Sequence, residues 1–180
     1  VNVGLRAKFL EAYRKIEKTR RKLEVYMARA EQKKEELMNK LIEAQKNGDE
    51  LRAKVYASEI ANLKRIIKSL MMIDVKLEQA SLKIQSVLTI GDAAFALKPI
   101  ANDLKNLMSV VKQLIPSIEE EFEELINVID DLAESEFGGE IFADVYLDAD
   151  AAKVLEEAQA IAQQKLKESI GLANAEGYKA

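Results

Sequence analysis

At 180 residues, with 48% hydrophobic and 32% charged side chains, the chain has the length and mixture of a single folded domain that stays soluble. Only 7 Gly and 2 Pro are present, too few turn residues for a β-sandwich or a doubly wound α/β fold. Without Cys there is no disulfide framework or thiolate metal site, and without His the commonest general base and zinc ligand are gone. An all-α protein without catalytic chemistry is the expectation.

Charge is divided along the chain. Residues 1–83 carry a net +8 and residues 84–180 a net −12, which together give the overall −4. Such a split points to a basic half that meets an anionic surface and an acidic half that meets something basic, in the same chain or a neighbour. No apolar run approaches the roughly 18–20 residues of a membrane span. Val1-Asn2-Val3-Gly4 does not read as a signal peptide, and the missing initiator Met leaves room for a leading segment. A cytoplasmic location is expected.

From Leu5 to Lys46 there is neither Gly nor Pro, and good helix formers dominate. This predicts one helix of about 42 residues. Leu5, Phe9, Tyr13, Ile16, Leu23, Met27, Ala30, Met38 and Leu41 are expected on its apolar face. Asn47-Gly48-Asp49 then interrupts, with Gly48 suited to a left-handed helix terminus and Asp49 to a cap. A second long helix follows from about Glu50, with Tyr56, Ile60, Leu63, Ile67, Leu70, Ile73, Leu77, Ala80, Ile84 and Val87 at helical spacing. Two such helices joined by a tight turn make an antiparallel hairpin.

Shorter elements come next. Gly91-Asp92 reads either as a hinge or as the interior of a continuous helix, at a cost of about 1 kcal/mol for the Gly. A third helix is predicted from about Pro99 to Leu114, with Pro116 ending it. Ser117 to Glu120 reads as a capping box that opens a fourth helix through about Ala133, its first turn rich in Glu. Gly138-Gly139 marks a second hinge within an acidic linker over 136–149. A last amphipathic helix is expected from about Asp150 to Ile170, and the domain division is therefore 1–135, 136–149 and 150–180.

The run Gly48-Asp49-Glu50-Leu51-Arg52-Ala53-Lys54-Val55-Tyr56-Ala57 resembles the stretch with which ESCRT-III proteins open their second helix. Lys76-Leu77-Glu78-Gln79-Ala80-Ser81-Leu82-Lys83-Ile84-Gln85-Ser86 is similar to the family's later basic-aliphatic-acidic segment. The likeness covers residues 5–135 well and the tail loosely, and it points to the archaeal CdvB-type cell-division members. It implies filaments of this subunit and of paralogous ESCRT-III subunits on membranes, bent or cut by the polymer and disassembled by an AAA ATPase. It also implies a closed state, in which acidic helices fold on the basic hairpin, and an open one. The last helix departs from the family's ATPase-binding pattern. Counting from Glu156, Leu166 and Lys167 fit, whereas Gln159, Ala162 and Gln163 do not, so any link to the ATPase is indirect.

Lys15, Lys18, Lys22, Arg29, Lys33 and Lys40 fall within about 60° on the first helix and form the candidate contact with an anionic membrane. Glu11, Glu17, Glu24, Glu31 and Glu35 are read as lying on other faces. No aromatics interleave the stripe, so nucleic acid is not the expected partner. Tyr13, Tyr26 and Tyr56 are read as seam residues with hydroxyls at the rim. Met71 and Met72, beside Leu70 and Ile73, make an apolar girdle wider than one helix face needs and are candidate subunit contacts. Val154, Leu155, Ala158, Ile161 and Leu166 on the last helix are candidates for packing on a hairpin, their own or a neighbour's. The carboxylates from Glu119 to Glu124 and Asp130-Asp131 are read as an acidic face rather than a metal site, and no cofactor is expected. Two other readings compete: a rigid stalk hairpin, such as the central subunit of a rotary ATPase, and a stoichiometric coiled-coil adaptor.

Overall fold

A computed structural model describes residues 3–90, 97–135 and 144–177. Helix α1 spans Val3–Lys46 and α2 spans Glu50–Ile90. After them come α3 (Lys98–Asn106), α4 (Met108–Leu114), a 3-10 turn at Pro116–Ile118, and α5 (Glu119–Ser135). Helix α6 covers Asp144–Gly177, longer at both ends than the expected Asp150–Ile170. The chain divides into two compact units, Val1–Gly139 and Glu140–Ala180. The four hinge candidates, Gly91, Asp92, Gly138 and Gly139, lie outside the described residues.

The all-α hairpin architecture holds, and its seam follows a strict seven-residue repeat. Phe9, Ile16, Leu23, Leu37 and Ala44 are buried on α1 at intervals of seven or fourteen, with Ala12 and Thr19 alongside. Ala53, Ile60 and Ile67 continue the repeat on α2, followed by Leu70, Leu77 and Ile84. Such a 3.5-residue period holds one face of each helix toward its partner. Leu37 and Ala44 therefore take the distal seam. Met38, placed there by a 3.6-residue wheel, is 40% exposed.

Polar groups also enter the seam. Asp74 and Ser81 occupy the next two positions of the α2 repeat, where Ile60 and Ile67 stand earlier. Arg20 Nε donates to Asp74 Oδ1 at 2.9 Å, and Arg20 also meets Glu17 at 3.3 Å and Glu78 at 3.5 Å. The buried Ser81 hydroxyl donates to Glu17 Oε1 at 2.8 Å. Thr19 is fully buried, and its hydroxyl donates to Lys15 O one turn back at 3.1 Å. A slip by one heptad would strand Arg20 against Ile67 or Ser81, so this network fixes which turn of α1 meets which turn of α2.

At the end of the hairpin away from its turn, α3 packs against α2 and α5 against α1, and α4 packs on α5. From Leu70 to Val87, α2 buries Ile73, Ala80 and Val87 as well as its seam. They join Ile100, Leu104, Val111, Phe122, Leu125 and Ile129 in one core. The expected third helix is interrupted at Leu107, whose N–H is shared between the carbonyls of Asp103 (3.2 Å) and Leu104 (3.1 Å). Pro116, lacking an N–H, ends α4.

At the hairpin tip Gly48 has φ +67°, and the Arg52 N–H donates to Asp49 Oδ1 at 3.1 Å, which caps α2. A Cβ at Gly48 would meet no atom within 4 Å, so substitution there is penalised by backbone conformation alone. Gly48→Ala is therefore expected to cost about 1–2 kcal/mol in urea denaturation, and Gly48→Asn distinctly less, because Asn tolerates the left-handed region. Equal losses for the two variants would refute that account of the turn.

Candidate functional site

Two charged elements meet on the hairpin. Helix α5 contains eight carboxylates and no basic residue. Its apolar side, with Phe122, Leu125, Ile126, Ile129 and Leu132 buried, sets it against the hairpin. That docking carries its carboxylates to the basic stripe of α1. Lys15 Nζ donates to Glu124 Oε1 at 2.7 Å, and Lys22 donates to Glu121 through an equally direct ion pair. The residue numbers rise along α1 as they fall along α5, so the two helices run in opposite directions at this contact. Tyr26 OH shares a 2.6 Å hydrogen bond with Ser117 Oγ, which ties α1 to the turn before α5.

Further ion pairs fasten the short helices. Asp130 on α5 accepts from Lys98 at 2.6 Å and Lys105 at 3.1 Å, both on α3. Lys76 on α2 pairs with Asp103 on α3 at 3.0 Å. The donors from Lys98 and Lys105 hold the Asp130 carboxyl below the usual carboxylate range. Glu124 is likewise lowered, chiefly by its hydrogen bond from Lys15, with Lys18 adding a weaker pull. In return Lys15 is raised by Glu124 and Lys98 by Asp130.

The predicted stripe is thus divided. Lys15 and Lys22 face α5, and Lys15 also lies 3.5 Å from Glu11, which stands one turn earlier on the same face and not on another face as expected. Lys18, Arg29, Lys33 and Lys40 are exposed. Lys33 approaches Glu36 at 3.7 Å, and the Arg29 guanidinium lies 5.8 Å from the centroid of the Tyr26 ring. Met71 and Met72 are each 54% exposed beside α3. On α6, Val154, Leu155, Ile161 and Leu166 are more than half exposed, and Ala158 is exposed as well.

Sequence reasoning missed the particular partners, Glu121 for Lys22 and Glu124 for Lys15, although it expected an acidic helix to meet a basic one. It also missed the Arg20 network. A signal for the latter existed, since Asp74 and Ser81 stand at repeat positions occupied elsewhere by Ile. Among the described residues no group of three or more acidic side chains is placed to hold a metal ion, and no helix is long and apolar enough to cross a membrane.

Comparison with known proteins bears on these surfaces. Cell division protein B1 of Sulfolobus acidocaldarius is 28% identical over 166 residues, covering 91% of this chain and 78% of that protein. Cell division protein B of the same organism is 24% identical over 156 residues, 86% of this chain and 60% of that protein. The chain is therefore homologous to these two proteins over most of its length. No family model matches it, and no solved structure matches it.

The lowered carboxylates give the α3–α5 attachment a defined pH dependence. A carboxyl with a depressed folded-state pKa stabilises fully above its ordinary value, near 3.9 for Asp. That contribution is lost as pH falls through the depressed value. Asp130→Asn is expected to lower the thermal midpoint at neutral pH and to flatten the loss of stability between about pH 5 and pH 2. A parent-like pH profile in this variant would show that the Lys98–Asp130–Lys105 cluster contributes nothing to the attachment.

Proposed function

Proceeding from homology to cell division proteins B1 and B, we propose that this chain is a structural subunit of an ESCRT-III-like division machinery, without enzymatic activity. It assembles with copies of itself and with related subunits into filaments on the inner, anionic face of the cell membrane, and the polymer constricts that membrane. The homology across 91% of the chain is the observation that carries this reading. The segregated charge supports it: a basic hairpin suits anionic headgroups, which attract each nearby Lys or Arg by about 1 kcal/mol, and repetition along a filament multiplies the effect. The apolar face of α6, with Val154, Leu155, Ala158, Ile161 and Leu166, is assigned to a neighbouring subunit. An AAA ATPase acts on the polymer indirectly, because α6 lacks the central Leu-Arg-Leu of the recruiting motif.

The packing of α5 on α1 corresponds to the closed state of this scheme. Lys15 and Lys22 become available to an anionic partner only when Glu124 and Glu121 withdraw, so assembly and α5 docking oppose one another.

Two measurements test the reading. Sedimentation and negative-stain microscopy with anionic vesicles should show filaments or coated tubules, with binding reduced at least about tenfold as salt rises from about 0.1 to 1 M. Monodisperse short rods that ignore vesicles and form a one-to-one complex with another protein would return the stalk or adaptor readings. Glu121→Gln combined with Glu124→Gln should lower the protein concentration at which filaments appear by about threefold to tenfold, with helicity unchanged. An unchanged threshold would show that α5 docking does not restrain assembly.

A further inference from the structure

The outward arc of α2 combines cations with exposed apolar side chains. Apart from Glu50 at its first residue, α2 carries only three acids, Glu59, Asp74 and Glu78. At about 100° per residue, Lys64, Arg65, Lys68 and Lys83 share an arc of roughly 120° with Met71, Met72, Val75 and Leu82; Glu59 and Asp74 fall outside it, and Glu78 stands at its edge, one heptad after Met71. Asp74 and Glu78 are turned to Arg20, at 2.9 and 3.5 Å. None of these four cations makes an ion pair among the described residues. Met71, Met72 and Val75 are each 54% exposed and Leu82 is 55% exposed. The apolar patch deepens into a groove of about 460 Å³ against Asn106 and Leu107 of α3. At its border Lys76 is engaged by Asp103 at 3.0 Å, so the one acid on that rim is already neutralised.

These four apolar side chains are surplus to the core. The segment from Leu70 to Val87 already buries residues toward α1 and toward the core it shares with α3 and α5, and its remaining side still carries Met, Val and Leu. An apolar row flanked by unpaired cations needs a partner with two layers: anionic groups near the surface and hydrocarbon beneath. A lipid bilayer presents both in a single approach.

A second copy of the chain offers each layer only separately. The exposed acids of α5, such as Glu120, Glu123 and Asp131, come with no exposed large hydrophobic residue, so docking them here would bury thioethers against carboxylates. The apolar face of α6 would cover the methionines. Yet Lys165 lies in the middle of that face, between Ile161 and Ala158 on the wheel, and would meet the lysines of α2.

We propose that α2 is the bilayer-contacting surface, with Met71, Met72, Val75 and Leu82 entering the headgroup–acyl boundary and Lys64, Arg65, Lys68 and Lys83 holding lipid phosphates around them. This rests on the membrane reading above and moves its contact from the α1 stripe to α2. Met71 and Met72 accordingly meet lipid rather than a neighbouring subunit. The contact is available while α5 remains docked, since no α5 carboxylate reaches this arc among the described residues.

The chain contains no Trp, so Met72→Trp at an exposed position installs a single fluorophore. With vesicles of phosphatidylcholine and phosphatidylglycerol in equal parts, its emission should shift to the blue and be quenched by bromines on the acyl chains. Pure phosphatidylcholine should produce neither effect. Lys64→Glu, Arg65→Glu and Lys68→Glu together, in the otherwise unaltered chain, should weaken vesicle sedimentation at least about tenfold with helicity intact. Arg29→Glu, Lys33→Glu and Lys40→Glu together should weaken it less than about threefold. Vesicle binding that survives the α2 reversals and is lost with the α1 reversals would overturn the assignment and leave the membrane reading standing. A blue shift that grows with protein concentration in the absence of lipid would overturn it in favour of a second copy. Failure of the parent chain to sediment with these vesicles would remove the membrane reading itself, and this inference with it.

Discussion

Everything in the first unit depends on how α2 is used between Leu70 and Val87. A helix surface spans a full circle, and this stretch commits a continuous arc of about a third of it to burial. One edge completes the heptad seam with α1 through Leu70, Leu77 and Ile84. The adjacent edge, through Ile73, Ala80 and Val87, joins the core shared with α3 and α5. The distal part of the hairpin has only the first of these contacts. Helix α5 is held where the hairpin already has its thickest core, and that position sets its carboxylates opposite Lys15 and Lys22 rather than the distal Arg29, Lys33 and Lys40. Burial decides the location, and charge then follows from it. The ion pairs are mostly half exposed, a setting in which each contributes modestly, so they bias the docking of α5 more than they create it.

Much of the architecture was legible in the sequence because its signals are long-range averages. A stretch of more than 40 residues without Gly or Pro on each side of Asn47-Gly48-Asp49 admits little besides a hairpin, and the left-handed Gly48 with its Asp49 cap is local chemistry. The seam register was less legible, for a specific reason. A 3.6-residue wheel drifts by about 20° per heptad against a seam that repeats every 3.5 residues. Over the five heptads from Phe9 the drift exchanged Leu37 and Ala44 for Met38 and Leu41. The interruption at Leu107 was invisible because neither Gly nor Pro marks it, and it consists of one N–H shared between two carbonyls.

The candidate surfaces divide in the same way. That an acidic helix would find the basic hairpin followed from composition. That Glu124 would find Lys15, 109 positions away, is a property of the packed core and of no local pattern. The α1 stripe stood out on the wheel because its six cations cluster tightly. The α2 arc was hidden because its cations are interspersed with Met, Val and Leu, which in one dimension read as extra core. Met71 and Met72 read as surplus in the sequence, but only the burial of Ile73, Ala80 and Val87 in the core shows which side of α2 remains uncovered.

This division of the cations has a mechanical consequence under the proposed function. If every lysine of the hairpin faced one surface, lipid and α5 would compete for the same charges, and attachment to a membrane would require opening. The structure separates them: α5 takes Lys15 and Lys22 on α1, whereas Lys64, Arg65, Lys68 and Lys83 stand unpaired on α2 among the described residues. Attachment through α2 then leaves the α5 latch closed, and opening becomes a second step that needs its own driving force. Neighbouring closed subunits, concentrated on one surface, supply that force by mass action once contacts between copies outweigh the modest ion pairs holding α5. Under that proposal a subunit built in this way is recruited first and switched second, and the α5 latch would delay polymerisation until the local concentration is high without lowering affinity for the membrane.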